Sequence, residues 1–332
     1  MKTILLITSE KERYYFEPFL DAATKVDGLR ILIFDPALFP SKLQLAVYIT
    51  PDGKVLGHID AQSYEVDKEP SIVRVRIEEV NIGWFLRPRQ PIPSQVSSEI
   101  EAKFATSESC AALDALYAVV PWRWINSKRV IRFIENNKAY QQLIAVQSGL
   151  AIPKTLVSND PLSVQTYARQ ENGLLLKTFS YTDIGTKEGV FFYSNIFSEE
   201  EIANAPKAIQ ECPIFAQEYI QKKCEYRVMV IGNRILACRI DSQSSDKTKI
   251  DWRHYDFEKV AHDACELPKN VQSALLRFMS HIELKYAAID IIETPAGEFI
   301  FLEANPSGQW GWIAHYAGLP IPEAVVEMLI AV

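Results

Sequence analysis

Cysteine is scarce in this 332-residue chain and poorly arranged for a scaffold. The five residues, Cys110, Cys212, Cys224, Cys238 and Cys265, are odd in number, widely spaced and contain no CxxC pair. That excludes a disulfide framework and, with no secretory signal expected at the start, fits a reduced, cytoplasmic protein. Long apolar runs are missing too. No stretch reaches the roughly 20 residues that a membrane-crossing helix needs, and the apolar opening, residues 2–8, reads as a buried first strand. Low-complexity tracts and internal repeats are absent. Nor is there an excess of positive charge: 35 Lys and Arg against 42 Asp and Glu leave a net charge of −7, which argues against a protein held on duplex nucleic acid by bulk phosphate attraction. Neither nucleic acid nor membrane is therefore expected as a partner. What remains is an ordinary globular composition, long enough for two or three compact units.

Three segments are read along the chain. Residues 1–125 open with strand, helical spacing and strand (3–8, then 29–34), the order of a small parallel α/β unit. Asp52-Gly53 separates two apolar runs and reads as a hairpin turn. The run 80–86 leads into Arg87-Pro88-Arg89-Gln90-Pro91-Ile92-Pro93, a loop that its prolines hold extended. Its two arginines either grip an anion or form a solvated loop. A helix over 99–119 follows. In residues 126–213, Ala139, Leu143, Val146 and Leu150 fall at helical spacing within a helix over 132–149, and Gly149 stands where a C-terminal cap belongs. Strands at 155–157 and 173–178 follow, and Ser198-Glu199-Glu200-Glu201 is a capping-box start. Residues 214–332 turn to strands at 215–220, 226–231 and 234–240. A helix carrying Val271, Leu275, Phe278 and Ile282 comes next, and then an acidic hairpin. The class is α/β with an α+β second half.

That hairpin holds the most pointed chemistry. Thr294-Pro295-Ala296-Gly297 supplies a turn that brings Asp290 alongside Glu303, and in an extended strand Glu303 and Asn305 point to the same face. Three hard oxygen donors with no His or Cys suit Mg²⁺, which binds through a few carboxylates plus substrate phosphates. The plain alternative is a surface hairpin with scattered acids. Upstream, Lys138 lies in a helix and Lys177 ends the apolar run Leu174-Leu175-Leu176. Gln217-Glu218-Tyr219-Ile220 then precedes Glu225-Tyr226-Arg227. A lone lysine on a helix is usually a solvated charge, so it is the order of these pieces that carries weight.

In that order the chain, over about residues 132–332, resembles the ATP-grasp superfamily. The resemblance implies an ATP-grasp fold behind a preceding small α/β domain, with ATP and Mg²⁺ as cofactors. Lys138 and Lys177 would neutralise the ATP phosphates. Gln217, Glu218, Tyr219 and Ile220 would meet adenine, and Glu225 the ribose. Arg227 and Arg239 would hold the terminal phosphate or the substrate carboxylate, while Asp290, Glu303 and Asn305 would hold Mg²⁺. Within the superfamily the chain resembles the microviridin-type graspetide ligases. The signals are Trp84-Phe85-Leu86-Arg87-Pro88-Arg89, Cys238-Arg239-Ile240-Asp241-Ser242-Gln243, Asp251-Trp252-Arg253-His254-Tyr255 and Glu303-Ala304-Asn305-Pro306-Ser307-Gly308-Gln309-Trp310-Gly311-Trp312. This similarity implies a homodimer acting on a ribosomally made precursor peptide with leader and core, which activates Asp or Glu side chains as acyl phosphates and joins them to Thr or Ser hydroxyls or Lys amines. The polar stretch 242–253 is then either a substrate loop, with Arg239, Lys247 or Arg253 meeting the peptide's acids, or a solvated loop. Asp241 is a candidate base by position, and Arg87 a candidate peptide contact. One departure concerns residues 179–189, where many ATP-grasp enzymes are glycine-dense and this chain has only Gly185 and Gly189.

Two other readings compete. The same machinery serves a ligase that adds free amino acids to a peptide or protein, as the ribosomal-protein glutamate ligases do. Trp84, Trp310 and Trp312 favour a bulky peptide, unless they are core packing. A non-catalytic ATP-binding regulatory module is the third reading, and the intact set of Lys, Arg and acids argues against it.

Overall fold

The computed structural model describes residues 1–64, 70–179, 194–252 and 256–331. Arg253 and most of the glycine-poor stretch after Lys177 lie outside them. The chain divides into two compact units, one of residues 1–129, 309–314 and 320–332, the other of 130–308 and 315–319.

In the first unit, β1 (Lys2–Ile7), β2 (Leu29–Phe34), β3 (Leu45–Ile49), β4 (Val55–Ser63), β5 (Ser71–Arg76), β6 (Ile82–Phe85) and β7 (Arg123–Ile125) form one sheet in the order β3-β4-β2-β1-β6-β7, with β5 on β4. The strands β2, β1, β6 and β7 are parallel. Ile4 to Ile7 are fully buried, as expected where helices cover both faces of a parallel sheet. Gly53 makes the expected β3–β4 turn at φ 82°, a conformation that favours glycine. Helix α1 (Arg13–Ala23) connects β1 to β2, and α2 (Glu99–Val119) connects β6 to β7. Ser98 caps α2 by accepting from the Glu101 amide. Trp84 and Trp310 are 1% exposed, so both are core residues and not peptide contacts. The final helix, Ile321–Ala331, returns to this unit and packs against α1. Its C-terminal carbonyls are met by the Lys2 ammonium, 2.6 Å from Ile330 O.

The second unit holds two antiparallel sheets. The smaller is β8 (Thr155–Ser158), β9 (Leu174–Lys177), β10 (Asn195–Phe197) and β11 (Ile214–Gln217), in the order β10-β9-β11-β8. Its back face sets Leu174 and Ala216 against Val164 and Ala168 of the helix Pro161–Glu171. The larger is β12 (Cys224–Ile231), β13 (Arg234–Ile240), β14 (His262–Cys265), β15 (Tyr286–Glu293) and β16 (Phe299–Asn305), in the order β14-β13-β12-β15-β16. Its back face, with Tyr226, Val228, Ile289 and Phe301, packs on the helix Lys269–His281.

The helix expected over 132–149 is two: α3 (Lys128–Glu135) and α4 (Lys138–Gln147). Asn136 and Asn137 turn their side-chain amides back onto the carbonyls of Arg132 and Phe133, the local competition by which asparagine ends a helix. Gly149, left-handed at φ 86°, follows α4 as expected. The expected apolar stripe is not what α4 buries. Leu143 and Val146 are half exposed, whereas Gln141 and Gln142 are buried. Their amides bond to Ala304 and Leu302 along β16, covering a sheet edge that would otherwise be open.

On the back face of the larger sheet, Glu293 pairs with Lys223 at 2.8 Å and accepts from Tyr226 Oη at 2.6 Å. The Lys223 ammonium, then the Tyr226 hydroxyl, hold its carboxyl below the ordinary range. A depressed acid contributes stability above its unfolded value, about 4.3, and loses that contribution as pH falls through the folded value. Glu293→Gln should therefore lower the melting temperature near neutral pH, with the deficit shrinking in acid scans below about pH 4.

Candidate active-site cleft

The two sheets of the second unit face a common cleft. From the smaller sheet come Leu175, Lys177 and Gln217, and from the larger Glu225, Asp290, Ile292, Leu302 and Glu303. Strand alternation explains the selection. Leu175 pairs with Gln217 and Lys177 with Phe215, so these four share the face opposite the Leu174 and Ala216 core. In the larger sheet Arg227 pairs with Asp290 and Asp290 with Glu303, which sets three charges in a row across β12, β15 and β16. A register shift follows Asp290.

The break between α3 and α4 puts Lys138 in the first turn of α4. Its Nζ donates to Thr178 O at 2.9 Å and stands 3.4 Å from Glu303 Oε2. Arg227 donates to Asp290 Oδ1 at 2.9 Å and lies 5.9 Å from the Trp252 ring centre. This close packing relies on Gly308, where a Cβ would come within 2.3 Å of Ala288 Cβ and 2.8 Å of Arg227 Nη2. Gly308→Ala should cost roughly 1–3 kcal/mol of stability, read as a lower urea midpoint, and should displace Arg227.

The segment after β11 forms the cleft's hinge. The strand expected to run to residue 220 stops at Gln217, where the Glu218 amide donates to Lys154 O and its carboxylate accepts from Lys154 N at 2.8 Å. Gln217 is 1% exposed. Its Nε2 donates to Thr155 Oγ1, but its Oε1 is buried without a protein partner. A buried, orphaned acceptor costs stability unless a ligand donor meets it. Tyr219 and Ile220 complete this wall.

Glu225 sits at the cleft floor, bonded by Lys222 Nζ at 2.7 Å, with side-chain exposures of 5% and 6%. Burial pushes its carboxyl up and Asp290 adds to this, while Lys222 and Ser242 oppose it. Lys222 also donates to Ile250 O at 2.9 Å. It thereby ties the floor to the wall formed by Ile250, Asp251 and Trp252. Sequence reasoning missed Lys222, Ile250, Asp251 and Trp252 as site residues. Nothing local marked Lys222, which precedes β12 between the exposed Gln221 and Lys223.

Other expected site residues are placed elsewhere. Arg239 pairs in register with Tyr226, not Arg227, so it emerges on the back face, 3.7 Å from Asp263. The expectation that it joins Arg227 is corrected by this one-residue offset. Asp241 and Lys247 do not line the cleft, and Lys247 is exposed. Asn305 lies at the exposed end of β16, with Oδ1 accepting from Ser307 N at 2.9 Å. Arg87 belongs to the first unit.

The donor set fits a hard cation only in part by itself. Among the described residues no three His, Cys, Asp or Glu side chains gather as a metal cluster, and the set is two facing carboxylates, with the Asn305 amide oxygen two residues beyond Glu303 and already accepting from Ser307 N. That matches a cation completed by phosphate oxygens and water rather than one caged by protein.

Comparison with known proteins agrees with this arrangement. The family described as a RimK-like ATP-grasp domain matches residues 135–329. No curated protein matches the chain. Among solved structures, a Chryseobacterium gregarium RiPP-associated ATP-grasp ligase in complex with ADP and a leader and core peptide aligns over 100% of this chain and 97% of its own, with TM-score 0.84 and 24% identity. The macrocyclase MdnC from Microcystis aeruginosa MRC, bound with precursor peptide MdnA, aligns over 99% and 100% with TM-score 0.81 and 26% identity. Macrocyclase MdnB from the same source aligns over 99% of both chains with TM-score 0.75 and 25% identity.

Proposed function

The chain belongs to the RimK-like ATP-grasp family, and on that premise we propose that it is an ATP- and Mg²⁺-dependent ligase that crosslinks side chains of a ribosomally made precursor peptide. One observation carries the reading: Lys138, Lys177, Asp290 and Glu303, from a helix and two sheets, converge on one cleft beside the 217–220 hinge. The peptide substrate is supported by the likeness, along almost the whole of both chains, to a macrocyclase bound with its precursor.

In this reading Lys138 and Lys177 meet the ATP phosphates. The orphaned Gln217 Oε1 accepts from the adenine amine. The Glu218 amide is already committed to Lys154, so the hinge's backbone donors to adenine come from Tyr219 and Ile220. Glu225 takes the ribose hydroxyls through the oxygen that Lys222 does not hold. Asp290, Glu303 and Asn305 hold Mg²⁺, which supplies fixed positive charge at the phosphoryl oxygens. Arg227 orients the terminal phosphate or the substrate carboxylate, a fork geometry that lysine lacks.

A peptide carboxylate oxygen attacks the γ-phosphorus and ADP leaves. A Thr or Ser hydroxyl, or a Lys amine, then attacks the acyl carbon and phosphate leaves, so each ring costs one water. The matching scheme has an α/β domain at 1–125 and two grasping lobes, 126–213 and 214–332, with the tail returning to the first unit. A cytoplasmic homodimer goes with it, and no helix among the described residues is long and apolar enough to cross a membrane. ADP release should depend on precursor peptide. Equal release without peptide would count against a peptide ligase.

A further inference from the structure

In open α/β sheets, ligands bind outside the carboxyl ends of the strands, where successive connections leave in opposite directions. The first unit has such a point. From β1 the chain goes to β2 on one side, while β6 and β7 are added on the other. The loops that follow β1 and β6 therefore flank a crevice, and they carry Thr8, Glu12, Arg87 and Arg89.

Three features there have no structural explanation. Arg87 adopts φ 52°, a left-handed conformation uncommon for a side chain of its size and often found at functional sites. Its guanidinium makes no hydrogen bond among the described residues. It stands 3.9 Å from Glu12 and 5.5 Å from the Tyr15 ring centre. Arg89 has one hydrogen bond, a 3.4 Å contact to the same Glu12. Two forks with five donors each thus share one carboxylate, held loosely. Thr8 Oγ1 is fully buried and has no protein partner. The neighbouring groups are otherwise occupied. Asp35 is bonded to Ser9, Glu10 and Ala37, and Arg13 is paired with Glu10 and Glu17.

We propose that this crevice is a binding subsite for an acidic side chain of a peptide, gripped by Arg87 and Arg89, with Glu12 holding the place in its absence. The peptide class rests on the ligase reading above, while the carboxylate rests on the geometry. Arginine pairs carboxylates bidentately, so an incoming acid gains contacts that the long Glu12 contacts do not supply.

Blocked triglutamate and triglutamine peptides, titrated calorimetrically at low salt against the full chain, test this. The unaltered protein should prefer triglutamate by about tenfold. R87Q/R89Q should lose that preference while still binding ADP with Mg²⁺. Glu12→Gln should tighten triglutamate binding by about threefold, because the competing carboxylate is gone. Equal affinity for the two peptides, a preference that survives R87Q/R89Q, or weaker binding by Glu12→Gln would each overturn the subsite. Should the double variant lose ADP binding, its fold is damaged and Glu12→Gln decides. Normal crosslinking of a precursor without any triglutamate preference would remove the subsite and leave the ligase reading standing. The preference without crosslinking would do the reverse.

Discussion

Replacing Glu303 by Gln is expected to slow ligation on the order of 10²–10³-fold, the usual effect of removing one preorganised electrostatic group. The expectation follows from position. Glu303 faces Asp290 across β15 and β16 and closes the row that begins at Arg227. Glutamine keeps the shape but loses the charge that a hard cation needs. Its ion pair with Lys138 is 3.4 Å long, with the side chains 29% and 19% exposed, so stability should change by less than about 1 kcal/mol. Turnover and thermal melting measured together separate the two effects. Unimpaired ligation by this variant would show that Glu303 holds no metal.

Lys222→Met should have the largest effect on folding, about 3–5 kcal/mol, because it leaves a buried carboxylate uncompensated. Both partners of the Lys222–Glu225 pair are nearly enclosed, and burial already works against ionised Glu225. The same change releases Ile250 O, so the wall at Ile250 loses its tie to the floor and nucleotide affinity should fall as well. Adding Glu225→Gln to Lys222→Met removes the stranded charge and should restore a large part of the lost stability. Urea unfolding of the two single variants and the double variant measures this coupling. A loss below about 1 kcal/mol in Lys222→Met would mean that water reaches the pair.

Much of the cleft was legible because it depends on local pattern. The turn expected at 294–297 fixes the Asp290–Glu303 pairing, and Gly297 is left-handed within it. Lys177 ends a short apolar strand, so its direction follows from alternation. The capping box at Ser198 formed as read. Features set by register or by tertiary partners were not legible. Arg239 and Arg227 differ by one place in the β12–β13 pairing, and one place is enough to send a side chain to the other face. The stripe on α4 misled because two glutamines found better partners along β16 than leucine and valine could. Lys222 looked like a surface lysine until folding enclosed it with Glu225. Nothing local announces that the last helix joins the first unit.

The central claim is tested most directly by intact mass. A candidate precursor peptide would be incubated with the protein, ATP and Mg²⁺, and its mass compared with a reaction lacking ATP. The account predicts the loss of one water for each ring formed, with alkaline hydrolysis then separating ester from amide. A gain of an amino-acid residue mass would contradict it in favour of a free-amino-acid ligase. An unchanged peptide, with ATP bound and not consumed, would contradict it in favour of a regulatory module.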